Sequence, residues 1–372
     1  MAVWVVSVVG AVTLFSSPAT AQVAFQSTNR LIFGVPSDLT ASMSFVDVDG
    51  DGDMDAVMAN GRHWTQVNEV YMNNGRGQFT YGYPLSPEKA TTYAVPAGDL
   101  DGDGDADIVV GNDRAQSWVY LNDGAGAFDR AWSVGPETDP TRSAQLHDLD
   151  GDGDLDLLVT NRGAPNGFYL NDGTGRFGPK RPFGDPDGST IAVAVGDVDA
   201  DGNVDLVLAN RDGQANQILF DDGSLAFDEV REFGTGTDET RGVVLADLDS
   251  DGVLDIVAVN IGEPNAVYLG LGAGAFGPGT SFGGNARTYM AILADLEADG
   301  DLDIVVANVG GRNAVYLNDG SGRAWTEHFV GDEAEATYGV AAGDVNGDGL
   351  PDLGFANSES LNRLFINVSG RR

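Results

Sequence analysis

The chain has 372 residues, with 57 acidic against 20 basic side chains, a formal net charge of −37 and no cysteine. An acidic body of that size excludes nucleic acid as a partner, because phosphate would be repelled, and without cysteine neither a disulfide nor a lipid-modified thiol can hold or anchor the fold. Such a charge also suits a disordered polyanion, but the acids are not scattered: they recur at an even beat, which marks a repeat architecture.

The first 21 residues carry no charge, run apolar from Ala2 to Phe15 and end in Ala19-Thr20-Ala21 before Gln22. This pattern predicts a secretory leader over residues 1–21 with an A-x-A cleavage site, although no Lys or Arg precedes the apolar run. The run is short for a membrane span, and no later segment is long and apolar enough to be one. The expected location is therefore secreted, periplasmic or on the cell surface, and the mature chain, residues 22–372, is expected to be one domain and a monomer. Next comes Val23 to Phe33 (VAFQSTNRLIF), which reads as a strand.

The first loop follows, Asp47 to Asp55 (DVDGDGDMD), and the same nine-position pattern returns at Asp99, Asp148, Asp197, Asp247, Asp295 and Asp344, at steps of 52, 49, 49, 50, 48 and 49 residues. Oxygen-bearing side chains at positions 1, 3, 5 and 9, with Gly at position 6 for a sharp turn, form the front of a hard-cation loop, and calcium is the expected ion, up to seven in all. Bare turns need no alternating acids that repel one another. The side-chain ligands expected are Asp47, Asp49, Asp51 and Asp55; Asp99, Asp101, Asp103 and Asp107; Asp148, Asp150, Asp152 and Asp156; and Asp197, Asp199, Asp201 and Asp205. The later loops offer Asp247, Asp249, Asp251 and Asp255; Asp295, Glu297, Asp299 and Asp303; and Asp344, Asn346, Asp348 and Asp352. Position 7 adds a backbone carbonyl, from Asp53, Asp105, Asp154, Asn203, Val253, Asp301 and Leu350 in turn. Glu297 and Asn346 depart from Asp at position 3, so those two sites are expected to be weaker or differently arranged.

Each repeat holds four strand-like runs, clearest in the fourth: Ile191 to Val195, Val204 to Leu208, Gln217 to Phe220 and Ala226 to Phe233. The first run is built from small residues, as in Ala94 to Gly98 and Val340 to Gly343, and suits strands crowded round an axis. The second is aliphatic on both faces, as in Ile108 to Val110 and Ile304 to Val306, and suits a strand sandwiched between sheets. The third, such as Val119 to Leu121, leads into Asn-Asp-Gly-x-Gly, a hairpin signal. Four antiparallel strands every 50 residues or so predict an all-β, seven-bladed β-propeller. The last repeat stops after its third strand, Arg363 to Asn367, and residues 22–34 are expected to supply its outer strand and close the ring.

These loops, the Gly-x-Phe hairpins and the Phe-Gly-Pro traces at Phe177 and Phe276 resemble FG-GAP (VCBS-type) repeats over essentially the whole mature chain. The resemblance implies a propeller similar to the integrin α-subunit head, with calcium between the first and second strands of each blade. It implies no single activity, since such propellers serve as adhesion heads, lectins, substrate-binding parts of larger assemblies and, in some relatives, polysaccharide lyases.

In a propeller the metal loops share one face with the third-to-fourth turns, leaving the second-to-third and inter-blade loops on the other. The second-to-third loops carry Arg62, Arg114, Arg162, Arg211 and Arg312, and the inter-blade loops carry Arg142, Arg241 and Arg287 with Tyr93, Tyr289 and Tyr338. Guanidinium forks suit carboxylate or sulfate, and aromatic rings suit sugar faces; surface ion pairing among these arginines is the plain alternative. The loop Asn60 to Asn68 adds Arg62, His63 and Trp64, and His63 with Tyr93 are the candidate proton carriers if the face cleaves a uronate glycan. The ligand-binding set expected is thus Arg62, His63, Trp64, Tyr93, Arg142, Arg241, Arg287, Tyr289 and Tyr338, with Arg142, Arg241 and Arg287 converging on the channel mouth. Three functions remain open at this point: a calcium-dependent binding or adhesion module for a glycan or protein, a polysaccharide lyase, and a structural module of envelope or matrix.

Overall fold

The computed structural model describes residues 23–28 and 31–370; the leader expected over residues 1–21 lies outside them. Among the described residues there is no helix, and so none long and apolar enough to cross a membrane. The strands form seven antiparallel sheets in a ring. The third blade shows the plan, with Thr141–His147 innermost, then Asp156–Asn161, Asn166–Tyr169 and Arg181–Phe183 outermost. Inner strands of successive blades touch one another in chain order, and the last, Thr337–Gly343, touches the first, Ser42–Val46. This is the seven-bladed propeller that the repeat spacing predicts.

The second strands are buried along their whole length, as Asp107–Asn112 and Asp303–Asn308 show, because a neighbouring blade covers each face. The core accordingly lies between blades. One layer joins Val57 and Val70 of the first blade to Ile108, Val110 and Tyr120 of the second, and another joins Phe33, Met43 and Met58 to Val345, Ala356 and Leu364 across the closure. Burying a Leu, Ile or Phe side chain in such a layer contributes about 1.5–3 kcal/mol. The ring closes through the N-terminal segment: Phe25–Gln26 pairs with Asn367 and Ile366, and Ile32–Phe33 with Arg363 and Asn362.

Two local departures from the sequence reading have clear causes. The run Ala94 to Gly98 splits into Thr92–Ala94 and Ala97–Gly98, since Pro96 has no N–H to give the ladder. The outer strand of the fourth blade begins at Glu229 rather than Ala226. Phe227 before it turns inward with φ 54° and is buried beside Phe168.

A polar belt joins the blades near the start of each inner strand. Every blade has a fully buried Thr there: Thr40, Thr92, Thr141, Thr190, Thr240, Thr288 and Thr337. At six junctions an Asn at the start of a third strand donates to the Thr hydroxyl of the next blade, at 2.8–3.2 Å, the sixth being Asn362 to Thr40. Where the second blade meets the third, Ser117 occupies the Asn position and bonds instead to the backbone N–H of Asn112.

Candidate functional site

The metal loops lie at the far end of the inner strands from the Thr belt. In the first loop the Asp47 carboxylate accepts the N–H groups of Gly50 and Gly52 at 2.8 and 2.9 Å, which folds the loop around it. Asp55 begins the second strand and is buried; its two oxygens accept the N–H groups of Val48 at 3.2 Å and Asn73 at 2.7 Å. Burial, only partly offset by those bonds, pushes the Asp55 carboxyl up to about 6, and Asp107, Asp156, Asp205, Asp255, Asp303 and Asp352 likewise. A cation beside them would reverse that shift, as an opposite charge favours the ionised form.

Ligand oxygens from positions 1, 3 and 9 lie within 4.8 Å of one another in the first four loops: Asp47, Asp49 and Asp55; Asp99, Asp101 and Asp107; Asp148, Asp150 and Asp156; Asp197, Asp199 and Asp205. The fifth loop gathers Asp247, Asp249 and Asp251. These five groups could hold a metal ion, and their donors are all oxygen, as hard cations require. Asp249 Oδ1 and, in the sixth loop, Glu297 Oε2 are buried without a hydrogen-bond partner. Burial and the neighbouring Asp303 and Asp299 carboxylates raise Glu297 to about 7. No such triad forms in the sixth and seventh loops among the described residues, the two whose third position departs from Asp. At position 5, Asp51 points to the loop surface and accepts the N–H of Asp53 at 2.9 Å, and Asp103, Asp152, Asp201, Asp251, Asp299 and Asp348 accept the N–H of position 7 in the same way. The Asp53 side chain lies under the third-to-fourth turn of its own blade, where a Cβ on Gly75 would collide with it.

The loops are also chained to one another by residues that the sequence pattern did not single out. Asn122, at the end of a third strand, donates its side-chain amide to the carbonyl of Val48 in the preceding loop at 2.8 Å, while its own N–H meets Asp107. Asn73, Asn171, Asn318 and Asn367 repeat the link. Asp221 and Gly270 stand in the corresponding places of the fourth and fifth blades.

On the opposite face the inner strands open into a cavity of about 330 Å³ at the channel mouth, bordered by Ala41, Tyr93, Arg142, Arg241, Tyr289 and Tyr338. Each follows directly on a belt Thr. In six blades the ladder slips one residue after that Thr, so Tyr93, Arg142, Ile191, Arg241, Tyr289 and Tyr338 sit on bulges. A bulge re-aims its side chain, and here it turns five of those six toward the axis.

The structure separates the candidate arginines. Arg142 lies 4.7 Å over Tyr93 and pairs with Asp113 at 2.9 Å. Arg114, Arg162, Arg211 and Arg312 pair with Asp113, Asp212, Glu239 and Asp332. Arg241 is half-buried in the cavity, 5.4 Å from the Tyr289 ring, and has no carboxylate partner among the described residues. Burial lowers it to about 10, so it stays protonated at neutral pH. Arg62 also lacks a carboxylate and stacks 3.5 Å over Tyr338, which in turn meets Tyr289 edge to face at 4.8 Å. Arg287 is exposed and does not line the cavity, so it does not join the convergence expected for it; Arg62, also outside the lining, reaches the border of the cavity through the Tyr338 ring. Trp64 is 74% exposed at the rim. His63 Nδ1 lies 3.3 Å from the Tyr93 hydroxyl; burial, then Arg62 and Arg142, hold its imidazole below the usual range.

The FG-GAP-like repeat model matches six overlapping stretches, residues 47–110, 99–159, 148–208, 197–258, 247–306 and 295–355. No curated protein matches the sequence. Among solved structures, BBS1N in complex with ARL6DN in a mercury-soaked crystal is similar at 14% identity and a TM-score of 0.63, over 93% of this chain and 97% of that one. The lead-soaked crystal of the same complex gives 14% identity and a TM-score of 0.58, over 92% and 96%. At that identity the likeness is one of fold. Every matched stretch starts on the first Asp of a loop and together they run unbroken from 47 to 355, so the chain belongs to the FG-GAP-like repeat family.

Proposed function

We propose that this protein is an exported, calcium-stabilised propeller that acts as a binding or adhesion module, taking a glycan or protein partner on the face opposite the calcium loops. Arg241 carries the reading. Carboxylates abound in this chain, and five arginines of the same face pair with one, Arg114 and Arg142 sharing Asp113, yet Arg241, which lines the cavity, has none among the described residues. A desolvated cation without a counter-ion is costly, and a site that keeps one among tyrosine rings is arranged for a ligand from outside. Export supports the choice of ion, since loops of modest affinity fill where calcium is near millimolar. The test is a glycan array and a partner capture with the calcium-loaded chain, each repeated with Arg62→Gln/Arg241→Gln. Binding that the double variant retains in full would place the partner elsewhere.

The His63–Tyr93 contact favours a second reading, a lyase. A neutral imidazole can accept a proton, a phenol can donate one, and Arg142 stands beside them to neutralise a uronate. Release of unsaturated sugar ends from an acidic polysaccharide, lost in Tyr93→Phe while binding persists, would establish it.

A further inference from the structure

We propose that the channel mouth is a receptor for one carboxylate carried on a sugar ring, the acid end of an otherwise neutral glycan. This rests on the reading of that face as a binding surface and adds the class of ligand. Arg142 has Asp113 at 2.9 Å, a carboxylate it shares with Arg114, whereas Arg241 and Arg62 have no carboxylate among the described residues, so these two leave uncompensated positive charge at the mouth, and a single carboxylate can take both guanidiniums, one of them through a two-pronged contact.

The shape of the cavity suits a sugar ring. Tyr289 and Tyr338 meet at 89° and line one side of the cavity, with Tyr93 on another. Phenol rings offer an apolar body to the C–H face of a sugar and a polar tip to its hydroxyls. At about 330 Å³ the cavity lies at the small end of the range for ligand sites, about 300–1,000 Å³, and so admits a terminal ring rather than a run of polymer.

The body of the protein is strongly acidic. With a net charge of −37, it repels any chain with an acid on every ring once that chain extends past the mouth. One acid on a neutral chain gains the local attraction without that repulsion.

The experiment is calorimetric titration of the calcium-loaded full chain at low and moderate salt with three probes: cellotriose, a cellobiose ended by one glucuronate, and trigalacturonate. The acid-ended probe is expected to bind about tenfold or more tightly than cellotriose, and more tightly than trigalacturonate at low salt, the gap narrowing as salt screens the body. Arg241→Gln should cut that binding about tenfold while the calcium-dependent melt stays cooperative, and Arg62→Gln, on a surface loop, should weaken it if Arg241→Gln does not fold. Equal binding of acid-ended and neutral probes, tightest binding of trigalacturonate, no binding of any probe, or indifference to both substitutions overturns the proposal. The binding-face reading fails separately, when partners found by array or capture ignore the double variant.

Discussion

Asn362 of the last blade donates a 3.0 Å hydrogen bond to the hydroxyl of Thr40 in the first, 322 residues earlier in the chain, and both groups are buried. The bond joins the two ends of the ring at the polar belt, inside the clasp made by Phe25–Gln26 and Ile32–Phe33. Thr40 in turn donates to Asn60 at 2.9 Å, so the same hydroxyl serves both blades. Asn362→Ala removes the bond that the buried Thr40 oxygen accepts and strands the Asn357 N–H that Asn362 also satisfies. The expected loss is about 2–4 kcal/mol, at roughly 1–3 kcal/mol for each orphaned group, read as a lower denaturant midpoint with an unchanged slope. Asn362→Asp, which keeps the acceptor for Asn357 but not the amide donor, should lose less.

The junction of the second and third blades is the belt's gap. Ser117 is too short to reach Thr141, whose hydroxyl keeps a 3.3 Å contact with Asn161. Ser117→Asn restores the residue found at the other six junctions, and its amide is expected to bond to Thr141. A gain of about 0.5–1.5 kcal/mol follows, the net worth of one such bond. An unchanged or lower melting temperature would show that the gap is filled some other way.

Position 4 of the metal loops is left-handed throughout, a feature that the Gly-based turn argument reached only for position 6. Gly50, Gly102, Gly151 and Gly347 take φ of 71–79°, and Ala200, Ser250 and Ala298 adopt 62°, 57° and 55° in the remaining loops. A Cβ at Gly102 would meet nothing within 4 Å, so the cost at the non-glycine loops is conformational, about 1–2 kcal/mol. Ala298→Gly should therefore stabilise the chain by some tenths of a kcal/mol after the entropy of the unfolded glycine is counted, at about 0.5–1 kcal/mol. Gly102→Ala should destabilise it by a similar or larger amount. Thermal melts of both variants at saturating calcium decide the signs.

The ring and its blade count were legible because one short pattern carries both: alternate acids with Gly at the turn mark one loop between two strands, and its regular return marks the repeat. The belt was not legible, since Asn60, Asn68 and their repeats read as ordinary loop residues until the backbone brings each against the next blade. Nor was the channel mouth. Proximity to an inner strand suggested Arg142, Arg241 and Arg287 alike, but the residue directly after each belt Thr is the one a bulge turns inward, and Arg287 precedes Thr288. Ion pairing of the arginines was expected as the plain alternative, but which acid each would take was hidden, because partners such as Asp212 for Arg162 come from the neighbouring blade, 50 residues away.

The last prediction concerns the cation itself and turns on a change of sign. Asp49 is held above the usual carboxylate range by burial, then by Asp51 and Asp47, and it accepts only a 3.3 Å bond from the Asp51 N–H. Without metal its charge opposes folding; with metal it is a ligand. Asp49→Asn should therefore melt higher than the parent after chelation and lower than the parent in millimolar calcium. Asp55→Asn behaves differently, because both Asp55 oxygens accept backbone N–H groups, so it should melt lower under both conditions. For the parent, removal of calcium costs the sum over filled sites. Each contributes about 1.4 kcal/mol at tenfold excess over its dissociation constant, so five filled triads contribute about 7 kcal/mol and their loss is expected to lower the melt by roughly 14–28 °C, at about 2–4 °C per kcal/mol. A parent melt unmoved by verified metal removal, with Asp49→Asn lower in both states, would show that these carboxylates organise the loops without a cation.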